Sequence, residues 1–123
     1  MKQVLLVFLG GGLGSALRYV IGKAINSPAS SIPLGTFTVN MLGSLFIGLI
    51  LGFALRHSTE STNTVLFLAV GLCGGFTTFS AFAFENYELL KNGEFWNFSL
   101  YAFGSLFLGV SAVIVGIWIS KLF

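Results

Sequence analysis

Long apolar stretches separated by short polar segments dominate the pattern along the chain. Four of these stretches approach the ~20 residues that a helix needs to cross the hydrocarbon core of a bilayer. They run from about residue 3 to 22, 34 to 55, 64 to 88 and 95 to 120. The polar segments between them are too short to separate domains. The pattern therefore predicts an all-α membrane protein with one four-helix transmembrane domain over residues 1–123.

Small and polar residues mark particular faces of the first two predicted spans. Residues 10–16 read Gly-Gly-Gly-Leu-Gly-Ser-Ala, and Gly48 and Gly52 extend a stripe of small residues in the second span. Such surfaces let helices approach closely in lipid. Thr36, Asn40 and Gly43 are spaced by four and three residues and so share a helix face. Two roles stay open for Asn40: an interhelical hydrogen bond, or a donor that lines a pore.

Residues 71–84 form a polar interruption in the third predicted span. They read Gly-Leu-Cys-Gly-Gly-Phe-Thr-Thr-Phe-Ser-Ala-Phe-Ala-Phe. Paired glycines and threonines loosen a helix, which predicts a break at mid-membrane depth and a site beside it. Phe76, Phe79 and Phe82 recur every third residue, close to helical spacing. A stripe of this kind is typical of helix packing, and a pore wall is the alternative.

Composition narrows the class of protein. Hydrophobic residues make up 55% of the chain and charged residues only 8%, too few charges to cover a soluble domain. The membrane interior offers no paired carboxylates and no cluster of metal-ligating side chains, so we do not expect an enzyme. Cys73 is the single cysteine and cannot form an internal disulfide. The net charge of +2 is too small to indicate nucleic acid as a partner.

The charges in the loops are nearly balanced between the two sides of the predicted bundle. If the termini and the second loop share one side, that side holds Lys2, Arg56 and Lys121, and the other holds Lys23 and Lys91. So small a bias lets copies insert in both orientations. Four short helices also enclose little interior, which predicts an oligomer, and an antiparallel pair is a closed two-fold arrangement.

Two further charged residues lie near span ends, and each has two possible roles. Arg18, near the end of the first span, is either a boundary charge or a cation that attracts an anion. Glu85 is either a helix-end charge or the border of a polar pathway.

The polar groups inside the spans are mainly hydroxyls, one carboxamide and aromatic edges. Hydroxyl and amide N–H groups donate hydrogen bonds, and the rim of a phenyl ring is positive. Phe79 and Phe82 can therefore stabilise a small anion without the trapping effect of a full positive charge. Conduction needs binding of that intermediate strength.

Three segments together resemble the signature segments of one known family. They read Gly-Gly-Gly-Leu-Gly-Ser-Ala-Leu-Arg-Tyr at 10–19, Gly-Thr-Phe-Thr-Val-Asn-Met-Leu-Gly-Ser at 35–44 and Gly-Gly-Phe-Thr-Thr-Phe-Ser at 74–80. The chain resembles the Fluc, or CrcB, family of fluoride channels in these motifs, in their order, in its length and in its number of spans. The joint occurrence is highly specific, whereas one glycine-rich segment alone is a weak signal.

This resemblance implies a passive, fluoride-selective channel that exports cytoplasmic fluoride across the inner membrane of a microbe. It also implies an antiparallel, dual-topology homodimer with two pores. In the family, a structural sodium ion (Na⁺) is bound at the dimer interface by backbone carbonyls in the broken third span. Those carbonyls match Gly74 and Thr77.

The same resemblance assigns the residues of the fluoride pore. They are Asn40, Phe79, Phe82, Ser80, Thr36, Glu85, Tyr101 and Arg18. Asn40 is expected both to line the pore and to orient one of the phenylalanines. Many members have Ser or Thr where this chain has Ala81, so a relay of two neighbouring hydroxyls and the glutamate retains only Ser80 and Glu85 here.

Two other classes of function compete with the channel. A proton-coupled exporter of small molecules or fluoride can also be built from four short spans. A proton-coupled multidrug exporter, however, needs a carboxylate deep in the first span, and all four acidic residues lie at Glu60 or later. A membrane scaffold that transports nothing is the other alternative. In a scaffold, substitutions at Asn40 or Phe79 would affect assembly only.

Overall fold

The computed structural model describes residues 1–57 and 61–123. Every regular element within these ranges is helical. The first helix is Lys2–Ile25, the second helix is Leu34–Arg56 and the fourth helix is Phe95–Ser120. The third span, Thr62–Lys91, consists of two helical parts. These four spans are long and apolar enough to cross a membrane, as the hydrophobic pattern predicts.

The two parts of the third span meet at a pair of non-helical residues. The N-terminal half-helix, residues 62–76, begins with an α-helical turn at Thr62–Val65. It continues as a π-helix over Leu66–Cys73 and ends with Gly74–Phe76. The C-terminal half-helix is Phe79–Lys91. π-Helical segments this long are rare, and they are frequently found at functional sites.

The ends of the helices differ slightly from the predicted spans. The first helix continues past Gly22 to Ile25, where extended backbone at Asn26 ends it. Lys23 in its last turn complements the negative end of the helix dipole. The predicted loop between His57 and Asn63 includes residues 58–60, which lie outside the described residues. The helix that follows begins at Thr62, with the Ser61 hydroxyl accepting from the Asn63 N–H at 3.2 Å.

Backbone contacts at glycines hold the helices together in two pairs. In the second and fourth helices, a Cβ at Gly48 would collide with the Val113 carbonyl, and one at Gly116 would collide with the Leu45 carbonyl. In the first helix and the N-terminal half-helix, a Cβ at Gly14 would collide with the Leu72 carbonyl. Such backbone approach is typical of helix packing in lipid. The predicted packing role of the small residues in the first two spans is confirmed.

Candidate functional site

The site begins at Thr77 and Thr78, which separate the two half-helices. Thr77 has φ −81° and ψ 158°, and Thr78 has φ −148° and ψ 121°, so both are extended. β-Branched residues favour this conformation. The Thr78 hydroxyl accepts a hydrogen bond from the Ala81 N–H at 3.2 Å and thereby caps the C-terminal half-helix. The chain thus crosses this point without continuous helical hydrogen bonding.

Asn40 of the second helix binds the backbone of Thr78 at two points. Its Oδ1 accepts from the Thr78 N–H at 2.8 Å, and its Nδ2 donates to the Thr78 carbonyl at 3.1 Å. The acceptor and the donor of the Asn40 carboxamide therefore both bind the backbone of one residue in the third span. The side chain proposed from sequence as either an interhelical bond or a pore donor is engaged in the interhelical bond within this chain.

The break removes the helical donors of the carbonyls from Gly74 to Thr77, and two of those donors are diverted to side chains. In a continuous α-helix, the carbonyl of Gly74 would accept from the Thr78 N–H, and that of Thr77 from the Ala81 N–H. The first N–H donates to Asn40 and the second to the Thr78 hydroxyl. Uncharged carbonyl oxygens at unwound transmembrane helices are ligands that suit Na⁺. The donor set at Gly74 and Thr77 therefore fits the predicted sodium ion.

An open groove of about 640 Å³ runs along the break, between the second and fourth helices. Its polar and aromatic lining includes Asn40, Gly74, Thr77, Thr78, Phe79 and Phe82. Phe103 and Leu106 of the fourth helix also line it, and both are largely exposed in the single chain. The groove brings together three residues predicted for the anion pore, Asn40, Phe79 and Phe82, with the two predicted for sodium. The other predicted pore residues, Thr36, Ser80, Glu85, Tyr101 and Arg18, are not part of its lining.

The aromatic rings at the groove pack at inclined angles. The ring centroids of Phe79 and Phe82 lie 5.9 Å apart at 46°. Those of Phe82 and Tyr101 lie 5.1 Å apart at 63°, close to a T-shaped arrangement. Phe79 is 77% exposed, so most of its surface faces out of the chain. Such rings can turn positive edges toward an anion.

Glu85 lies one turn beyond Phe82 and collects hydrogen bonds from two other helices. Its Oε2 accepts from the Thr36 hydroxyl at 2.8 Å, and its Oε1 accepts from the Tyr101 hydroxyl at 3.1 Å. Three residues predicted from sequence thus form one network across the second, third and fourth spans. The carboxylate is part of the packed structure rather than a free charge at a helix end.

The other predicted residues lie at the edges of this arrangement. Ser80 is exposed, and its hydroxyl lies 3.4 Å from that of Thr78. Arg18 lies on the far side of the break, where its Nε donates to the Gly75 carbonyl at 3.1 Å. Arg18 and Ala81 line a separate crevice of about 300 Å³. The guanidinium is therefore placed behind the backbone of the break and outside the lining of the groove.

The expected alignment of three phenylalanines is wrong for Phe76. Phe76 precedes the break and is only 7% exposed, whereas Phe79 follows the break and is largely exposed. The extended residues Thr77 and Thr78 reset the helical phase, so a spacing of three does not place Phe76 beside the other two.

Two residues of the site are missing from the sequence prediction. Thr78 caps the half-helix, and its backbone N–H and carbonyl are both bonded to the Asn40 side chain. A threonine directly before an apolar helical run is a signal for the capping role. Asn86 is 7% exposed, and its Nδ2 donates to the Phe82 carbonyl at 2.8 Å. A carboxamide within an apolar span is the signal that would have identified it.

Comparisons with known proteins agree with the motifs. Residues 5–117 match the family described as CrcB-like protein, Camphor Resistance (CrcB). A protein of Phocaeicola vulgatus named fluoride-specific ion channel FluC is 46% identical over 123 residues, covering 98% of this chain and 100% of that protein. The protein of the same name from Thermus thermophilus is 49% identical over 117 residues, covering 94% and 93%. The one from Azobacteroides pseudotrichonymphae is 40% identical over 124 residues, covering 100% and 99%.

Proposed function

The chain belongs to the CrcB family, and from that premise we propose that it is a fluoride-selective ion channel. It is a multi-pass membrane protein with four spans, and its relatives are named as ion channels rather than enzymes. Fluoride moves passively, and the channel exports fluoride from the cytoplasm across the inner membrane.

The observation that carries this proposal is the composition of the groove. Phe79 and Phe82 lie along one wall in tilted contact, and the Phe82 ring also meets Tyr101 in a nearly T-shaped contact. No lysine or arginine lines the groove among the described residues. An anion passing there meets positive ring edges and hydroxyl donors of moderate strength, which favours fast release.

The remaining pore residues have supporting roles in this proposal. Thr36 and Tyr101 hold the Glu85 carboxylate at the end of the aromatic wall. Asn40 fixes the residue before Phe79 and so sets the start of the half-helix that carries both rings. Ser80 offers an exposed hydroxyl, and Arg18 contributes positive charge behind the break.

The functional unit is an antiparallel homodimer in which a second copy covers the groove and completes two pores. A single chain would expose the carbonyls of Gly74 and Thr77 to hydrocarbon, which costs several kcal/mol for each unsatisfied group. The break lies at mid-membrane depth. The near balance of loop charges described above permits both orientations in one membrane.

A structural sodium ion is bound where the two breaks meet. The carbonyls of Gly74 and Thr77 in each copy hold it, and the ion supplies positive charge that joins the two chains. This proposal is supported by two hydrogen bonds: the Thr78 N–H donates to the Asn40 side chain and the Ala81 N–H donates to the Thr78 hydroxyl, instead of to helical carbonyls. The ion is part of the assembly, and fluoride follows the aromatic wall.

Anion efflux from liposomes tests the function. Purified protein reconstituted into vesicles loaded with fluoride or with chloride should release fluoride far faster, as measured with ion-selective electrodes. An imposed proton gradient should change the fluoride rate only through its electrical effect. Equal rates for the two anions, or no flux, would contradict the proposal. Fluoride accumulation driven by protons would instead indicate a coupled exporter.

A further inference from the structure

The side chains of Asn40 and Thr78 compete with the helix for two backbone donors at the break. Building on the proposed function, we infer that these two residues are positioning residues that create the cation site. Neither side chain touches the ion. Each acts by removing the amide donor that would otherwise occupy one ligand carbonyl.

Asn40 acts on the first carbonyl. The Thr78 N–H is the natural partner of the Gly74 carbonyl, and Asn40 Oδ1 accepts it at 2.8 Å. The Nδ2 donor binds the Thr78 carbonyl at 3.1 Å, so Thr78 is fixed from both sides. One turn along the second helix, Gly43 makes room for Thr77, because a Cβ at Gly43 would collide with the Thr77 methyl group. The second helix is shaped to hold both threonines.

Thr78 acts on the second carbonyl. Its hydroxyl accepts the Ala81 N–H at 3.2 Å, and that N–H is the natural partner of the Thr77 carbonyl. A capping hydroxyl of this kind marks the first turn of a helix and stops its extension toward the N-terminus. Without it, the half-helix can gain a residue at its start and the Thr77 carbonyl turns toward the Ala81 amide.

Both side chains remove an amide donor from a carbonyl, and both carbonyls lie at the break. Gly74 and Thr77 both line the groove, and Gly74 is exposed in the single chain. The Asn40 side chain binds the backbone of Thr78, the residue whose hydroxyl caps the half-helix, so both diversions depend on the position of Thr78. Because Phe79 directly follows Thr78, the same clamp also sets the start of the aromatic wall. Sodium binding and ring position are thereby coupled through one residue.

Sodium-dependent thermal stability of the purified, full-length protein in detergent tests this inference. The unfolding midpoint is measured while NaCl replaces N-methylglucamine chloride at constant ionic strength, which gives the half-saturating sodium concentration. Thr78→Val keeps the β-branched shape and removes the acceptor, and it should raise that concentration about tenfold, the size expected for loss of a helix cap. Thr78→Ser restores the acceptor and should stay within about threefold of wild type.

Thr38→Val is the matched control, because the Thr38 hydroxyl only donates to the Leu34 carbonyl on the same helix, at 2.7 Å. Its sodium dependence should equal that of the wild type. If Thr78→Val does not fold, Thr78→Ala gives the same comparison, since alanine also lacks the acceptor and is a poor N-cap residue. Wild-type sodium dependence in Thr78→Val or Thr78→Ala, or none in the wild type, would overturn the inference. Absence of fluoride flux from the wild type would instead overturn the proposed function, and the sodium titration would still decide this point.

Discussion

At the scale of single residues, the site depends on polar groups that are satisfied across helices. Glu85 accepts from the second helix through Thr36 and from the fourth helix through Tyr101. A hydrogen bond to a charged group is worth more than one between neutral groups, and a buried carboxylate without donors is costly. The network therefore joins three spans through one carboxylate and keeps that charge inside the bundle.

A double-mutant cycle tests this network. Thr36→Val and Tyr101→Phe each remove one donor to Glu85, and each should lower the free energy of unfolding by about 1 kcal/mol in mixed micelles. Because both donors serve one carboxylate, the double variant should depart from the sum of the single variants by at least about 0.5 kcal/mol.

Ser99→Ala serves as the control for that cycle. The Ser99 hydroxyl is exposed and donates to the Phe95 carbonyl of its own helix at 2.8 Å. Its loss should leave the free energy of unfolding close to that of the wild type. Strict additivity of Thr36→Val and Tyr101→Phe would show that the two donors do not act on a common group.

Residue types could be selected from the sequence, but their partners could not. Asn40 and Glu85 are conspicuous in the sequence because they are polar residues within apolar stretches. The bonds from Asn40 to Thr78 join residues 38 positions apart, and no local spacing encodes such a contact. The capping role of Thr78 has a local signal, whereas its two bonds to Asn40 depend on a partner in another helix.

At the scale of elements, the two glycines before the break have different environments. A Cβ at Gly75 would collide with the Gly11 carbonyl of the first helix. A Cβ at Gly74 would meet only the Ala69 carbonyl, at 3.9 Å, among the described residues. Gly75 is thus needed for packing within the chain, whereas Gly74 faces the open groove and leaves space for what covers it.

Alanine substitutions at these positions should have separate effects. Gly75→Ala should destabilise the protein by roughly 1–3 kcal/mol, because the first helix must move away from the half-helix. Gly74→Ala should leave the fold of each chain intact and weaken pairing of two copies, as measured by chemical cross-linking in membranes. Gly12→Ala is the control, since a Cβ there meets no described atom within 4 Å. If Gly74→Ala cross-links as efficiently as the wild type, the proposed contact between the two breaks is contradicted.

The spans themselves follow from hydrophobicity, while the geometry within the third span does not. Length and apolar content identify four helices because crossing a bilayer imposes both. Paired glycines and threonines mark residues 74–78 as a weak point. The extended residues Thr77 and Thr78 set the rotation between the half-helices, however, so periodicity across the break gives a false face for Phe76.

At the scale of the whole molecule, one groove joins the aromatic wall, the carbonyls of the break and the Asn40 clamp. The charged groups of the groove region are held elsewhere: Glu85 by its two hydroxyl donors, and Arg18 behind the break. An anion in the groove therefore meets aromatic edges before it meets any full charge. In the proposed channel, fluoride passes along this wall.

Two matched phenylalanine variants test whether fluoride follows the aromatic wall. The measurement is fluoride efflux from liposomes. Phe82 lines the groove, whereas Phe84 lies on the same half-helix, is 62% exposed and is not part of the groove lining. Phe82→Ile removes a ring edge worth about 1 kcal/mol while keeping an apolar side chain, so efflux should fall about fivefold. Phe84→Ile should conduct like the wild type. Unaltered efflux in Phe82→Ile, or equal losses in both variants, would contradict the aromatic pathway.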